Sequence, residues 1–150
     1  MAKRTDSAAK KRAWDEFARW VKVKRCIETT GFPFVGGCFT CQKRFHIRAL
    51  QAGHAKGGRG NGILFHEKLT NPQCVICNET HHGRYKRYRK NLNERYGEEK
   101  VNQWFRESEK PIPNKEMDFK AIENKYREKT NDLLRPFGYC NYEEMLKGHY

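Results

Sequence analysis

Cys38-Phe39-Thr40-Cys41 and Cys74-Val75-Ile76-Cys77 repeat one spacing, C-x2-C, with residues 42–73 between them. Two such pairs can bring four thiolates to one tetrahedral ion, the donor set of structural zinc. The competing reading is a redox-active pair. The opening residues Met1-Ala2-Lys3-Arg4-Thr5-Asp6 hold no apolar export stretch, which favours metal over disulfides. Hydrophobic residues make up only 37 % of the 150, so the core is small for the length. Zinc would contribute on the order of 10 kcal/mol to folding such a chain. Four thiolates leave no open coordination position, which makes this a structural rather than a catalytic metal. Cys26 and Cys140 stand apart and read as ordinary, partly buried thiols.

Charge is the second constraint. Lys and Arg number 31 against 18 Asp and Glu, a net charge of +13. All of that excess, and one charge more, lies before residue 98. A chain this basic points to nucleic acid as partner. No apolar run approaches the roughly 20 residues needed to span a bilayer, so the expectation is a cytoplasmic protein with no membrane role.

The hydrophobic pattern divides the chain. Residues 1–12 offer nothing to pack and are expected to form a flexible basic arm. Trp14, Phe17, Ala18 and Val21 recur at helical spacing from Ala13, and Gly31-Phe32-Pro33 stops that helix. Residues 44–54 suit a strand, the glycine-rich 55–62 a flexible loop, and Ile63-Leu64-Phe65-His66 a second strand of the same hairpin. The second cysteine pair then opens a long helix, with His81, Tyr85, Tyr88, Leu92 and Tyr96 in a stripe and Gly97 as its cap. Residues 13–97 thus form the core. Residues 98–150 form a charge-balanced helical extension, a scaffold or dimerisation surface, with a linker at Lys110-Pro111-Ile112-Pro113-Asn114. Asn141 with Glu144 offers a capping box for a last short helix.

Between the knuckles, His54 closes the first strand, and Asn78 follows Cys77 directly. His82 lies four residues beyond Asn78, on the same face if the helix runs unbroken; His81 competes for that place. A neutral imidazole can deprotonate an attacking water. An amide oxygen and an imidazole can hold a divalent ion, Mg or Mn, that stabilises a pentavalent phosphate. Each has a blander reading: His54 as a strand-end histidine, Asn78 as a helix cap, His81 and His82 as phosphate contacts or solvated surface. His46, His66 and His149 read as structural or exposed. Lys56 and Arg59 on the loop, with Arg84, Lys86, Arg87 and Lys90 on the helix, would hold the DNA backbone.

These residues resemble a known family. Phe17-Ala18-Arg19-Trp20-Val21-Lys22-Val23-Lys24, Ala52-Gly53-His54, Leu64-Phe65-His66-Glu67, Gln73-Cys74-Val75-Ile76-Cys77-Asn78 and Tyr88–Gly97 are similar to motifs of the HNH (ββα-metal) endonucleases, in particular the NinG/Rap recombination proteins of lambdoid phages. The resemblance runs from about Phe17 to Trp104. It implies an α+β fold, a zinc-stapled ββα-metal core with flanking helices. It also implies His54 as general base, Asn78 as ligand of catalytic Mg or Mn, structural zinc on the four cysteines, and branched DNA (Holliday junctions, D-loops) as substrate. The sequence departs from the pattern at three points. Gly53 stands where many HNH enzymes carry Asp. The middle Asn position falls on Leu69, with Asn71 displaced by two. The ligand role of His82 rests on helical spacing alone.

Three functions follow as expectations: a metal-dependent, structure-selective endodeoxyribonuclease in phage recombination; a noncatalytic zinc-ribbon DNA-binding module; and an HNH nickase acting on duplex DNA in packaging or replication. Two symmetric cuts across a junction would suit a homodimer. A phage-encoded chain would act in the host cell cytoplasm.

Overall fold

The computed structural model describes residues 2–58 and 60–148, with side chains from Asp6 onward. Arg59 and His149 lie outside the described residues. The architecture is mixed α+β, with helices surrounding two small antiparallel sheets.

Helix α1 (Ala2–Thr30) starts before Ala13, so residues 2–12 are helical rather than the arm expected. The reason is local and tertiary together. Ala8 to Arg12 are good helix formers with no breaker. Lys11 pairs with Asp15 one turn on at 3.1 Å, and Arg12 reaches Glu123 at 3.4 Å. The helix stops as expected, at Gly31 with φ +80°.

Strands β1 (Val35–Gly37) and β2 (Arg44–His46) enclose the first cysteine pair. The strand expected over 44–54 is broken by a 3-10 turn at Ile47–Ala49, where His46 Nδ1 accepts from Arg48 N at 3.2 Å. Strand β3 (Leu50–His54) then pairs with β4 (Thr70–Cys74), in register from Leu50↔Cys74 to His54↔Thr70.

The second strand therefore is not at Ile63–His66. Those residues begin in a short helical turn, α2 (Asn61–Leu64). Ile63 and Leu64 are neighbours and both buried, which a half-buried strand cannot provide. Gly62 meets the end of a later helix so closely that a Cβ would stand 2.5 Å from the Ser108 carbonyl. Asn61 Nδ2 donates to Ile112 O at 2.7 Å and Asn114 Oδ1 at 2.9 Å. Strand β4 was hidden by its own composition, Thr-Asn-Pro-Gln-Cys. Pro72 cannot donate a ladder bond, but its carbonyl accepts from Phe39 N at 2.7 Å, tying the first knuckle to the sheet.

The helix expected to open at the second knuckle also starts later. Ile76–Thr80 form a wide turn, with His81 N donating to Ile76 O and Gly83 N to Cys77 O, both at 2.9 Å. His82, Gly83 and Arg84 follow at φ +53°, +91° and +45°, and only then does α3 (Tyr85–Tyr96) begin. Helices α4 (Glu98–Ser108), α5 (Phe119–Leu134) and α6 (Tyr142–Gly148) complete the chain. The last is capped by Asn141 Oδ1, which accepts from Glu144 N at 2.9 Å.

The later helices close directly on the earlier ones. Phe17, Trp20 and Val21 of α1 bury against Tyr126 of α5, with the Phe17 and Tyr126 rings edge-on at 4.8 Å. Val23 and Cys26 pack with Ile47, Leu50, Leu134 and Met145. Tyr88 and Leu92 of α3 join Leu69, Val101 and Phe105. Buried Glu123 is held by Arg127 at 2.6 Å and Lys120 at 3.3 Å. The apolar face of α5 is thus committed to α1.

Candidate functional site

The four cysteines meet at the Leu50/Cys74 end of the β3–β4 hairpin. Their sulfurs all lie within 4.8 Å of one another, and the Cys41 and Cys74 sulfurs are 3.9 Å apart. A thiolate tetrahedron around zinc, with bonds of about 2.3 Å, has edges of about 3.8 Å. The residues fit the metal. Cys38, Cys74 and Cys77 are buried and Cys41 half-buried, as a closed structural site requires. Cys26 lies elsewhere, on the fully buried face of α1, where burial pushes its thiol up to about 12. Cys140 is exposed.

His54 lies at the other end of the hairpin. Its Nε2 is 3.2 Å from the Leu64 carbonyl oxygen. A carbonyl only accepts, so Nε2 carries the hydrogen and the neutral ring has its lone pair on Nδ1. The indole of Trp14 lies 5.1 Å away at 30°. Trp14, which the sequence marks only as part of the apolar stripe of α1, is therefore also a wall of the site.

Asn78 leaves the second knuckle toward this end. Its Nδ2 donates to Gln51 Oε1 at 2.8 Å, while its Oδ1 would stand 3.0 Å from a Cβ at Gly53. Trp14, Gly53, His54, Lys56, Asn78 and Tyr85 line one cleft of about 240 Å³. His54 and Asn78 are thus brought together. His82 is not joined to Asn78 by a helical face: the backbone turns left-handed at His82, and the side chain is exposed. The spacing argument for it as a ligand fails because the wide turn at Ile76–Thr80 ends before it and no helix joins the two residues.

The structure also accounts for Gly53. Gln73, fully buried, donates Nε2 to Thr40 Oγ1 at 2.6 Å and to Gly83 O at 2.9 Å. That leaves Gln73 Oε1 where a Cβ on residue 53 would collide with it. An aspartate there would have to displace the Gln73 amide from both of those hydrogen bonds. Asn71, opposite Gly53 in the sheet, donates to the Tyr88 hydroxyl at 3.2 Å, and Tyr88 donates to Gly53 O at 2.8 Å. This buried link fixes α3 to the strand beside His54. The Leu69 carbonyl accepts from Ala55 N at 2.8 Å.

The predicted DNA-binding residues divide. Lys56 and Tyr85 line both the His54 cleft and a larger one of about 710 Å³ between α3 and α4. Lys86 and Lys90 line that larger cleft and also a groove of about 680 Å³ that includes Arg87. Arg84 is half-buried in the left-handed turn. Arg89 covers the Phe105 ring at 4.2 Å and donates to Asn102 at 2.6 Å. Sequence reasoning missed Gln51, Gln73 and the exposed position of Tyr85. Gln73 was visible only as the first letter of the Q-C-x-x-C-N motif, and no periodicity marks Gln51. His46 and His66 turn out structural, the latter with Nδ1 accepting from Leu69 N at 3.2 Å.

Among the described residues no helix is long and apolar enough to cross a membrane. No curated protein and no solved structure matches the chain. The family model of the bacteriophage lambda NinG protein matches residues 2–135. That span includes both cysteine pairs, the His54 cleft and the basic helix, and the chain belongs to the NinG family.

Proposed function

We propose that this protein is a metal-dependent, structure-selective DNA endonuclease of the HNH type that cuts branched DNA during phage recombination, in the cytoplasm of the host. The observation that carries this reading is the cleft shared by His54 and Asn78 beside Lys56 and Tyr85. The Leu64 carbonyl holds the His54 ring, and Nδ1 accepts the proton of an attacking water. Asn78 Oδ1 offers the oxygen donor that hard divalent ions prefer. Mg or Mn, when bound, would stabilise charge on the pentavalent phosphate and the leaving 3′-oxygen. Lys56, Lys86, Arg87 and Lys90 hold backbone phosphates, setting orientation rather than chemistry. The zinc cluster keeps the Asn78 turn against the strand that bears His54. Paired cuts across a four-way junction call for two copies of the chain on one DNA.

The test is cleavage by the zinc-loaded protein, with Mg or Mn, of a four-way junction and of linear duplex of the same sequence. Cutting near the branch is expected, with His54→Ala losing at least about 100-fold in rate. An alanine variant that cuts like the parent would falsify the assignment of the base. Tight, salt-sensitive binding without cleavage would make the protein a noncatalytic zinc-ribbon DNA-binding module. Equal cutting of linear duplex would make it a nickase without branch selectivity.

A further inference from the structure

An asparagine side chain has two ends of nearly the same shape, and only the oxygen can bind a cation. Which end Asn78 turns to the cleft is decided by what it meets behind. Its Nδ2 donates to Gln51 Oε1 at 2.8 Å, and Gln51 Nε2 in turn donates to Glu79 Oε1 at 2.7 Å. An ionised carboxylate only accepts, so Glu79 requires the amino end of Gln51. Gln51 then presents its oxygen to Asn78 and requires the amino end there too. Asn78 Oδ1 is left facing Gly53 and the cleft.

We propose that Glu79 is a positioning residue that acts through Gln51 to set the amide polarity of Asn78, so that oxygen rather than nitrogen meets a divalent cation in the His54 cleft. This rests on the reading of Asn78 as a cation ligand. The relay crosses from the knuckle turn to β3 and back, so no single element contains it. With the carboxylate replaced by an amide, both side chains can invert together and keep their mutual hydrogen bond, and Asn78 then turns nitrogen to the cleft. Glu79 is exposed, so its replacement is compatible with folding.

The experiment is a titration of the zinc-loaded full chain with Mn, read as free Mn by electron paramagnetic resonance. Zinc content and thermal melting are measured on every variant. Asn78→Ala is expected to remove the Mn site. Glu79→Gln is expected to weaken Mn binding about twofold, because two arrangements of similar energy leave Asn78 Oδ1 facing the cleft about half the time. In an Asn78→Asp background both oxygens can ligate and there is no polarity to set, so adding Glu79→Gln should leave Mn affinity unchanged or raise it. A simple attraction between Glu79 and the cation would instead weaken binding equally in both backgrounds. That result, or full affinity in Glu79→Gln alone, overturns the relay and leaves the role of Asn78 intact. Full affinity in Asn78→Ala removes the ligand reading itself.

Discussion

At one end of the β3–β4 hairpin, where Leu50 pairs with Cys74, four sulfurs crowd together and three of them are buried. At the other, where His54 pairs with Thr70, a half-buried imidazole opens onto a cleft of about 240 Å³. The two lie about 13 Å apart at the usual rise of a strand. The first end has every donor turned inward on one point and no room for a substrate. The second has a single ring held by a backbone carbonyl, an amide oxygen, and lysine within reach of solvent. A closed donor set serves folding, whereas an open one leaves room for a ligand. Here one hairpin carries both, and Asn78, next to Cys77, reaches from the first toward the second.

The largest expected effect breaks the closed end. Cys77→Ser removes one of four donors from a site whose metal would contribute on the order of 10 kcal/mol. Zinc stoichiometry and the cooperative melt, followed by circular dichroism, should both be lost. A melt like the parent's would mean that the open end does not depend on the closed one.

Tyr88→Phe tests the coupling between them through α3. Tyr88 is fully buried, and its hydroxyl serves both Gly53 O and Asn71 Nδ2. Removing it leaves the buried Gly53 carbonyl and one hydrogen of the half-buried Asn71 amide short of a partner and should cost about 1–3 kcal/mol. The midpoint of denaturant unfolding should fall while zinc content holds. An unmoved midpoint would separate the helix from the strand energetically.

A smaller effect sharpens the electrostatic side of the contrast. Lys86→Ala and Lys90→Ala should each reduce the slope of log affinity for DNA against log salt by about 1. Lys115→Ala, in the charge-balanced C-terminal part, should leave that slope unchanged. Equal losses at all three would mean that the charge acts without a defined groove.

The smallest effect concerns His66, which braces the turn before β4. Burial lowers its pKa below the ordinary 6.5, and the neutral Nδ1 accepts from Lys68 N and Leu69 N. The unfolded chain takes up the proton first as pH falls. This contribution to stability is therefore complete above 6.5 and is lost as pH drops below it. From about pH 7 to about pH 5, the parent should lose stability faster than His66→Asn. Parallel curves would show that the turn does not sense the proton.

Much of the scaffold was legible along the chain. The Phe17/Val21 face, the stop at Gly31, the Tyr88/Leu92 stripe, the 110–114 linker and the Asn141 cap all depend on neighbours within a turn or two, which sequence spacing reports directly. Strand β4 was not legible, because its proline and polar residues carry no alternation. Its identity comes from pairing with β3 and from Phe39 on the first knuckle. The break at His82–Arg84 was hidden for a similar reason. The turn is stabilised by the Cys77 carbonyl and by Gln73 reaching across to Gly83, and neither shows in a helical pattern. His54 and Asn78 could be nominated from motif and spacing, but not their orientation.

The sequence by itself determined the four-thiol donor set and the confinement of the net positive charge to the first two-thirds. Both are matters of residue identity at fixed spacing, and four thiols at C-x2-C intervals have few other ways to be satisfied. Only the tertiary structure decided which polar atoms face the cleft. Gln73 fills the space that keeps residue 53 a glycine, and Leu64, ten residues away in sequence, fixes the tautomer of His54. Glu79 and Gln51 turn the oxygen of Asn78 outward. A hydrogen bond's direction depends on the partner that folding supplies, and no local pattern records it.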